Sequence, residues 1–466
     1  MKTLVSFFSM IAVATSVVWL SGCAKDEPNT PPTSTIDSTE LYAGGATTIF
    51  LANSNAFRTP APNLDFAGEQ LHALGDAAFD ATFVSYPGPV NPGLGPIYNN
   101  TSCISCHVRD GRGTPLNNAG ALSSILFRLS APGTDVTGGP NPLPGFGGQL
   151  QQRAVAGVQA EGQVNITYSD VTFTFDDGEV VHLRAPNYST TNTYIPMPAG
   201  AMMSPRMAPP VFGLGLLEAV SEETILSNAD PSDANGDGIK GHANYVWDAV
   251  HQTTAIGRFG WKANVPNLKQ QTAGAYNGDM GITTPLFPVK SCHGQPQAVG
   301  YEYDNVDVDS ITLAAATFYV QTLGVPARRN LNDASVIRGK QVFADAKCGS
   351  CHTPTMKTGT LTGMPQVSNQ TIHAYTDLLV HDMGDGLADN RPDFQAGGRE
   401  WRTQPLWGIG LTQVVNGHTF FLHDGRARDL MEAILWHDGE AAASKNYIKK
   451  LSKSDRQALM AFLNSL

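Results

Sequence analysis

The feature that most constrains this chain is the sequence Cys-x-x-Cys-His, which occurs at residues 103–107 and again at residues 348–352. Two cysteines three positions apart lie on one side of a helical turn, so both sulfurs can add to the vinyl groups of a single haem. The histidine that follows is then placed beneath the haem iron. The sequence therefore predicts two covalently attached haems c, held by Cys103, Cys106, His107, Cys348, Cys351 and His352.

Two other interpretations of these cysteines are weaker. A zinc site built from two Cys-x-x-Cys knuckles usually has them close in sequence, whereas here most of the chain separates them. A thioredoxin-like redox pair has no reason to be followed by histidine both times. Cys292 has no evident partner, and its state stays open.

The N-terminus predicts export and lipidation. Residues 1–23 begin with Lys2, continue with an apolar run and end in small residues, as secretory signal peptides do. Residues 20–23, Leu-Ser-Gly-Cys, resemble the bacterial lipobox, in which Cys23 would be acylated and become the new N-terminus. We expect a periplasmic protein anchored by lipid, in the outer rather than the inner membrane because Ala24 follows. An ordinary cleaved signal with an incidental cysteine is the alternative.

The remainder of the chain is expected to be mainly α, with two cytochrome c-like haem domains. The 47 glycines and 30 prolines predict short elements and long loops. Residues 24–65 are predicted as a tether, 66–330 as an N-terminal cytochrome c-like domain with insertions, and 331–466 as a C-terminal cytochrome c domain. A small β-hairpin insertion is predicted at 163–183, where apolar and polar residues surround an Asp-Gly turn. No internal repeat is visible beyond the two motifs.

The charge of the chain argues against a nucleic-acid partner. Lys and Arg number 30 against 41 Asp and Glu, giving a formal net charge of -11. Such a chain lacks the basic field that binds a phosphate backbone. An acidic surface permits docking of a small basic electron-transfer protein, although a surface that is acidic for solubility alone looks the same.

Five stretches resemble motifs of a known family: 95–99, 211–218, 257–263, 402–408 and 422–427. They are similar to the di-haem oxidoreductase family, which is related to bacterial di-haem cytochrome c peroxidases and to the di-haem enzyme that matures methylamine dehydrogenase. The likeness runs from about residue 93 to the C-terminus. It implies reduction of hydrogen peroxide at one haem with electrons relayed from the other, supplied by a small cytochrome c or cupredoxin.

The resemblance also suggests a second ligand for the C-terminal iron. In the peroxidases a methionine in the helix after the His-Asp-Gly motif ligates the electron-transfer iron, and in the maturation enzyme a tyrosine does. This chain places His437 there, on the apolar face of a helix predicted to begin at Asp424. His437 is therefore predicted to be the second axial ligand of the iron bound to His352. Met383 is the alternative ligand, and a satisfied core histidine is the alternative role.

The N-terminal haem is predicted to be the open site. No histidine lies between His107 and His182, so the distal histidine that peroxidases place soon after their first motif is missing. Peroxide chemistry also needs an acid–base group beside the substrate. Glu218 is predicted for this role because it follows the apolar stretch 213–217, although a surface glutamate at a helix start fits equally.

Trp261 is predicted to relay electrons between the irons, as the resemblance implies, with a core tryptophan as the alternative. The full hypothesis is a periplasmic di-haem peroxidase. Two other classes remain open. One is a non-catalytic electron carrier with both irons six-coordinate, and the other is an enzyme that oxidatively modifies a protein partner.

A calcium ion is a further expectation, because the related enzymes hold one between their haem domains. One loop has alternating oxygen ligands and a glycine turn, with candidate ligands Asp233, Asn235 and Asp237. The position of the bidentate glutamate of an EF-hand holds Asn244. The sequence therefore supports an irregular calcium site rather than an EF-hand.

Overall fold

The computed structural model describes residues 37–115, 124–302 and 305–466. The predicted signal peptide, the acylation of Cys23 and the first residues of the tether lie outside these ranges. The structure is 30% helix and 19% strand, so the expectation of a mainly α fold was wrong. The physical reason is that glycine and proline keep the helices short, while extended segments pair within the regions expected to be loops.

Eleven α-helices occur in the described residues, and the longest has 15 residues. In chain order they are α1 (Phe66–Asp80), α2 (Cys103–Cys106), α3 (Leu214–Ala219), α4 (Glu222–Leu226), α5 (Leu268–Met280), α6 (Ser310–Thr322), α7 (Ala334–Asp345), α8 (Thr412–Asn416), α9 (Leu430–Leu435), α10 (Ala442–Lys449) and α11 (Lys453–Ser465). The second motif begins with a 3₁₀ turn, Cys348–Ser350.

The strands form two-stranded sheets only, within the part of the chain that is described. They are β1 (Thr48–Ile49), β2 (Ile97–Tyr98), β3 (Ile125–Ser130), β4 (Arg153–Ala154), β5 (Gln163–Thr174), β6 (Val180–Thr191), β7 (Met202–Met207), β8 (Tyr245–Asp248), β9 (Thr253–Ile256), β10 (Val325–Pro326), β11 (Met356–Lys357), β12 (Thr371–Ile372), β13 (Val380–Asp382) and β14 (Glu400–Arg402). β1 pairs with β10 in parallel, and the antiparallel pairs are β2–β4, β3–β7, β5–β6, β8–β9, β11–β12 and β13–β14.

Each Cys-x-x-Cys-His motif lies beside a pair of packed helices. α1 packs against α6 and contacts α2, while α7 packs against α11 and contacts the turn of the second motif. A glycine lies at each helix contact. A Cβ on Gly75 would lie 2.2 Å from the carbonyl oxygen of Ala315, and a Cβ on Gly339 would lie 1.9 Å from that of Ala458. The two halves of the chain thus share an arrangement that their sequences do not reveal.

We expect Gly339→Ala to lower the free energy of unfolding by roughly 1–3 kcal/mol, because the added methyl forces α7 away from α11. Gly278→Ala in α5 is the matched control, since its Cβ would meet its nearest neighbour, Arg128 Nη1, at 3.8 Å. Alanine is the better helix former, so the control should be as stable as the parent or slightly more. Chemical denaturation followed by circular dichroism compares the two. Equal stabilities would show that α7 shifts at no cost.

The predicted hairpin is present, and it is larger than expected. β5 and β6 pair in register from Gln163↔Thr191 to Thr174↔Val180. The turn contains Gly178 at a φ of 89°, a conformation that glycine adopts without strain. Both strands have twelve residues, and β6 continues through residues 184–191, beyond the segment that the alternating pattern marked.

The hairpin packs against the second half of the chain. Phe175 and Leu183 are buried in the hydrophobic cluster that also contains α7, α9 and α11 residues. Arg184 donates hydrogen bonds to the backbone carbonyls of Gly425 and Arg426. A segment from the N-terminal half therefore covers part of the C-terminal half.

Residues 37–65, which composition places in the tether, are packed against the rest of the chain. Phe57 is buried, and the buried carboxylate of Glu40 pairs with Arg328 and Lys340. β1 adds to β10. Among the residues that the structure describes, no helix has the length and apolar character needed to cross a membrane. The boundary predicted near residue 330 stays a prediction.

Candidate active site at two neighbouring cavities

The first motif lines a cavity of about 320 Å³, a size typical of ligand sites. α2 supplies Cys103 and Cys106, and His107 follows directly. The walls are largely apolar and include Phe57, Phe79, Val211, Phe212, Phe259, Leu268 and Trp407.

The second motif lines another cavity, of about 200 Å³. Cys348, Cys351 and His352 face it, together with His437 and Met383. Its apolar walls include Phe343, Leu387, Leu430, Leu459 and Leu463. The two cysteine pairs line different cavities, so a zinc ion held by all four cysteines has no site.

The three predicted iron ligands share one hydrogen-bond pattern. Each donates its Nδ1–H to a backbone carbonyl: His107 to Pro209 at 2.7 Å, His352 to Tyr375 at 3.0 Å, and His437 to Ala433 at 2.7 Å. A carbonyl can only accept, so the proton is on Nδ1 and the Nε2 lone pair is left for a metal. Burial lowers the pKa of His107 and of His352 to about 4, which keeps both rings neutral, as ligation requires.

His437 faces the same cavity as His352 and lies close to it. Burial first, and then the neighbouring His437, lower the pKa of His352. The helix that carries His437 is shorter than expected. α9 begins after Asp429, whose side chain accepts the N–H of Glu432, because Asp424 instead forms a buried ion pair with Arg426. The role of His437 as a ligand stays a prediction, as does that of Met383.

Trp261 lies in the wall between the cavities, as a relay would require. Its Nε1–H donates to the carbonyl of Met207 at 2.7 Å, which fixes the ring. The residues that line both cavities are Arg112, Trp261, Arg402, Gln404, Pro405 and Ile409.

Glu218 does not line either cavity. Its Oε1 accepts the N–H of Leu268 at 2.7 Å, and its Oε2 accepts from Gln321 Nε2 at 2.6 Å. Burial raises the pKa of this carboxyl, as expected, but one oxygen is engaged at the start of α5 and the other by a side chain of α6. The geometry is that of a positioning residue, while its predicted catalytic role stays untested.

A carboxylate that sequence analysis missed lies in the first cavity. Asp279, in α5, is the only Asp or Glu that lines this cavity within the described residues. Its Oδ1 accepts from Gln149 Nε2 at 2.9 Å. Burial raises the pKa of Asp279, and the nearby Arg128 opposes that shift. The helical spacing of Gln271, Ala275 and Asp279, all of which line the cavity, is the signal that could have found it.

The predicted calcium loop is exposed, and its side chains bind their own backbone. Asp233 Oδ1 accepts the N–H of Gly238 at 3.0 Å, and Asn235 Oδ1 accepts that of Asp237 at 2.9 Å. Asp237 Oδ1 in turn accepts the N–H of Ile239 at 2.9 Å. These contacts order the loop without an ion, and the calcium site stays a prediction.

The chemistry of the two cavities fits haem. Each combines apolar walls for a flat ring with a motif that presents two sulfurs and an imidazole. The wall between them contains buried guanidinium groups with unpaired N–H donors, which suit the acidic edge of a haem. Those donors are Nε and Nη1 of Arg112 and Nη1 of Arg402.

Comparison with known proteins agrees with this geometry. Residues 37–466 match the family model described as "Di-haem oxidoreductase, putative peroxidase". A search of curated proteins finds no match. A solved structure of hydrazine synthase from Kuenenia stuttgartiensis, pressurised with xenon, is 18% identical with a TM-score of 0.25 and covers 39% of this chain. The match spans 65% of that chain's own length. The matched family model covers nearly the whole chain, and this protein therefore belongs to the di-haem oxidoreductase family.

Proposed function

We propose that the protein reduces hydrogen peroxide at the haem of His107, with electrons that enter at the haem of His352 and cross by way of Trp261. One observation carries the proposal. Four histidines line the second cavity, at positions 352, 381, 423 and 437, whereas His107 alone lines the first within the described residues. Both ring nitrogens of His381 are bonded to carboxylates, and His423 Nε2 lies 3.6 Å from Asp424. His352 and His437 use Nδ1 on backbone carbonyls, which leaves two Nε2 atoms for an iron. An iron with two side-chain ligands relays electrons, and one with a free position can bind a substrate.

The first cavity also contains a group that can move a proton. A haem held there by Cys103, Cys106 and His107 would supply peroxide binding and electron transfer to the O–O bond. Asp279 accepts the proton from one peroxide oxygen and delivers it to the other, so that two electrons and two further protons yield two waters.

The finer features of the proposal come from the sequence. We infer haem of the c type, attached through thioethers to the four motif cysteines. The export signal and Cys23 support a lipid-anchored periplasmic protein, and the net charge of -11 suits a small basic electron donor such as a cytochrome c or cupredoxin. We also propose a calcium ion at Asp233, Asn235 and Asp237, whose alternating oxygen ligands suit it.

The alternative function that a specific observation favours is that of a non-catalytic electron carrier. Met207 and Met280 also line the first cavity, and a thioether bound to that iron would close the site. Both irons would then be six-coordinate, and no peroxide would turn over.

Electron paramagnetic resonance of the purified protein separates these functions. We expect a high-spin ferric signal beside a low-spin one in the oxidised protein, and loss of the high-spin signal when peroxide is added after one reducing equivalent. Two low-spin signals that peroxide leaves unchanged would identify the carrier. Peroxide consumption that requires a protein substrate would instead identify an enzyme that modifies that protein.

A further inference from the structure

Two buried arginines line both cavities, and some of their N–H donors have no hydrogen-bond acceptor in the described part of the chain. Arg112 and Arg402 are 7% and 6% exposed and line both cavities. Nε and Nη1 of Arg112 and Nη1 of Arg402 have no hydrogen-bond partner among the described residues. A buried charged donor left unpaired is costly, so these atoms indicate a missing acceptor.

Both side chains are held in place. Arg402 donates from Nε to the carbonyl of Gly260 at 2.9 Å and from Nη2 to Gln404 Oε1 at 2.6 Å. The guanidinium of Arg112 lies 5.7 Å from the ring centre of Trp261 and 5.5 Å from that of Phe421. Fixed guanidinium groups lose little entropy when a carboxylate binds.

The excess of positive charge in the lining of the first cavity also favours binding of an anion. Its lining contains four arginines, at positions 112, 128, 206 and 402, and a single carboxylate, Asp279, within the described chain. Arg206 pairs with Asp389 and Asp393 outside the lining, and Arg128 acts on Asp279. Burial lowers the pKa of Arg112 and of Arg402 to about 10, so both remain cations at neutral pH.

We propose that Arg112 and Arg402 bind the propionate carboxylates of the two haems and form one cationic bridge between them. A haem is apolar except for these two carboxylates, and a guanidinium binds a carboxylate through two parallel hydrogen bonds. The bridge holds the edges of both haems beside Trp261 and raises both midpoint potentials, because a nearby positive charge favours the reduced iron. The inference rests on the two haem sites and not on peroxide reduction.

The test is a spectroelectrochemical titration of the intact di-haem protein. Arg112→Gln and Arg402→Gln should each lower the midpoint potentials of both haems, since each arginine lines both cavities. Arg112→Lys, which keeps a charge but loses the paired geometry, should give a smaller shift. Arg338→Gln is the matched control, because it removes an arginine whose side chain is 49% exposed and should leave both potentials unchanged.

Potentials in the glutamine variants that match the control would overturn the proposal. A shift of the wild-type potentials by acetate, absent in those variants, would overturn it in favour of a site for soluble carboxylates. If the glutamine variants fail to retain haem, the pH dependence of the wild-type midpoint potentials decides. Propionates bound to arginine should not titrate near neutral pH, so a propionate-linked pH dependence there would contradict the inference. Peroxide turnover is not measured in this test. A protein without peroxidase activity would therefore not change the conclusion about the two arginines.

Discussion

Replacing Asp279 by asparagine is expected to slow peroxide reduction by about 10²–10⁴-fold, the contribution that general acid–base catalysis typically makes. Asparagine has the same shape and can still accept from Gln149, so the packing of α5 should be unchanged. It cannot take up and release the proton that must move between the peroxide oxygens. Steady-state turnover with a reduced cytochrome as donor measures the loss, and the haem spectrum should match that of the parent.

Glu218→Gln is the control for this experiment. Its Oε1 binds the start of α5 and its Oε2 accepts from Gln321 in α6, and the residue lines neither cavity, so we expect near-parental turnover. We also expect a loss of about 1 kcal/mol of stability, the usual size of a helix-capping contact. Should Glu218→Gln abolish turnover while Asp279→Asn spares it, the role predicted for Glu218 from the sequence would be correct.

Removing the imidazole of His437 is expected to change the spin state of the C-terminal iron. In His437→Ala the low-spin signal of this haem should give way to a high-spin one, because the sixth ligand is lost. In His437→Met the iron should stay low-spin at a higher potential, within the roughly 0.8 V range that axial ligands span. Electron paramagnetic resonance and redox titration record the two effects.

Met383→Leu is the matched control, since Met383 faces the same cavity. Leucine fills similar volume and cannot ligate, so the low-spin signal should persist if His437 is the ligand. Its disappearance in Met383→Leu, with no change in His437→Ala, would assign the ligand to Met383.

The sequence predicted those parts of the site whose residues lie close together along the chain. The two Cys-x-x-Cys-His motifs were recognisable because the residues predicted to attach each haem lie within five consecutive positions. No role was assigned to Asp279 or Arg402, although helical spacing precedes the first and a family-like stretch begins at the second, because only tertiary packing brings them to the cavities of distant motifs. α9 was predicted to start too early, since Asp424 and Asp429 are equally good caps and a buried ion pair with Arg426 decides between them.

The error in fold class has a similar cause. Most strand pairs here have two to six residues per strand, too few for an alternating pattern to stand out from loops. Only β5 and β6, with twelve residues each, are long enough for their alternation of apolar and polar residues to be recognised in the sequence.

That long hairpin also affects how the protein folds. Phe175 and Leu183 are buried in a hydrophobic cluster whose other members lie mostly in the C-terminal half, which is synthesised later. Until then their apolar surface stays in water, so the hairpin cannot be stable on its own. Loss of either half would expose apolar area on the other, so we expect the two halves to stabilise each other. A cut near residue 330 should therefore yield fragments that aggregate rather than two separable cytochromes.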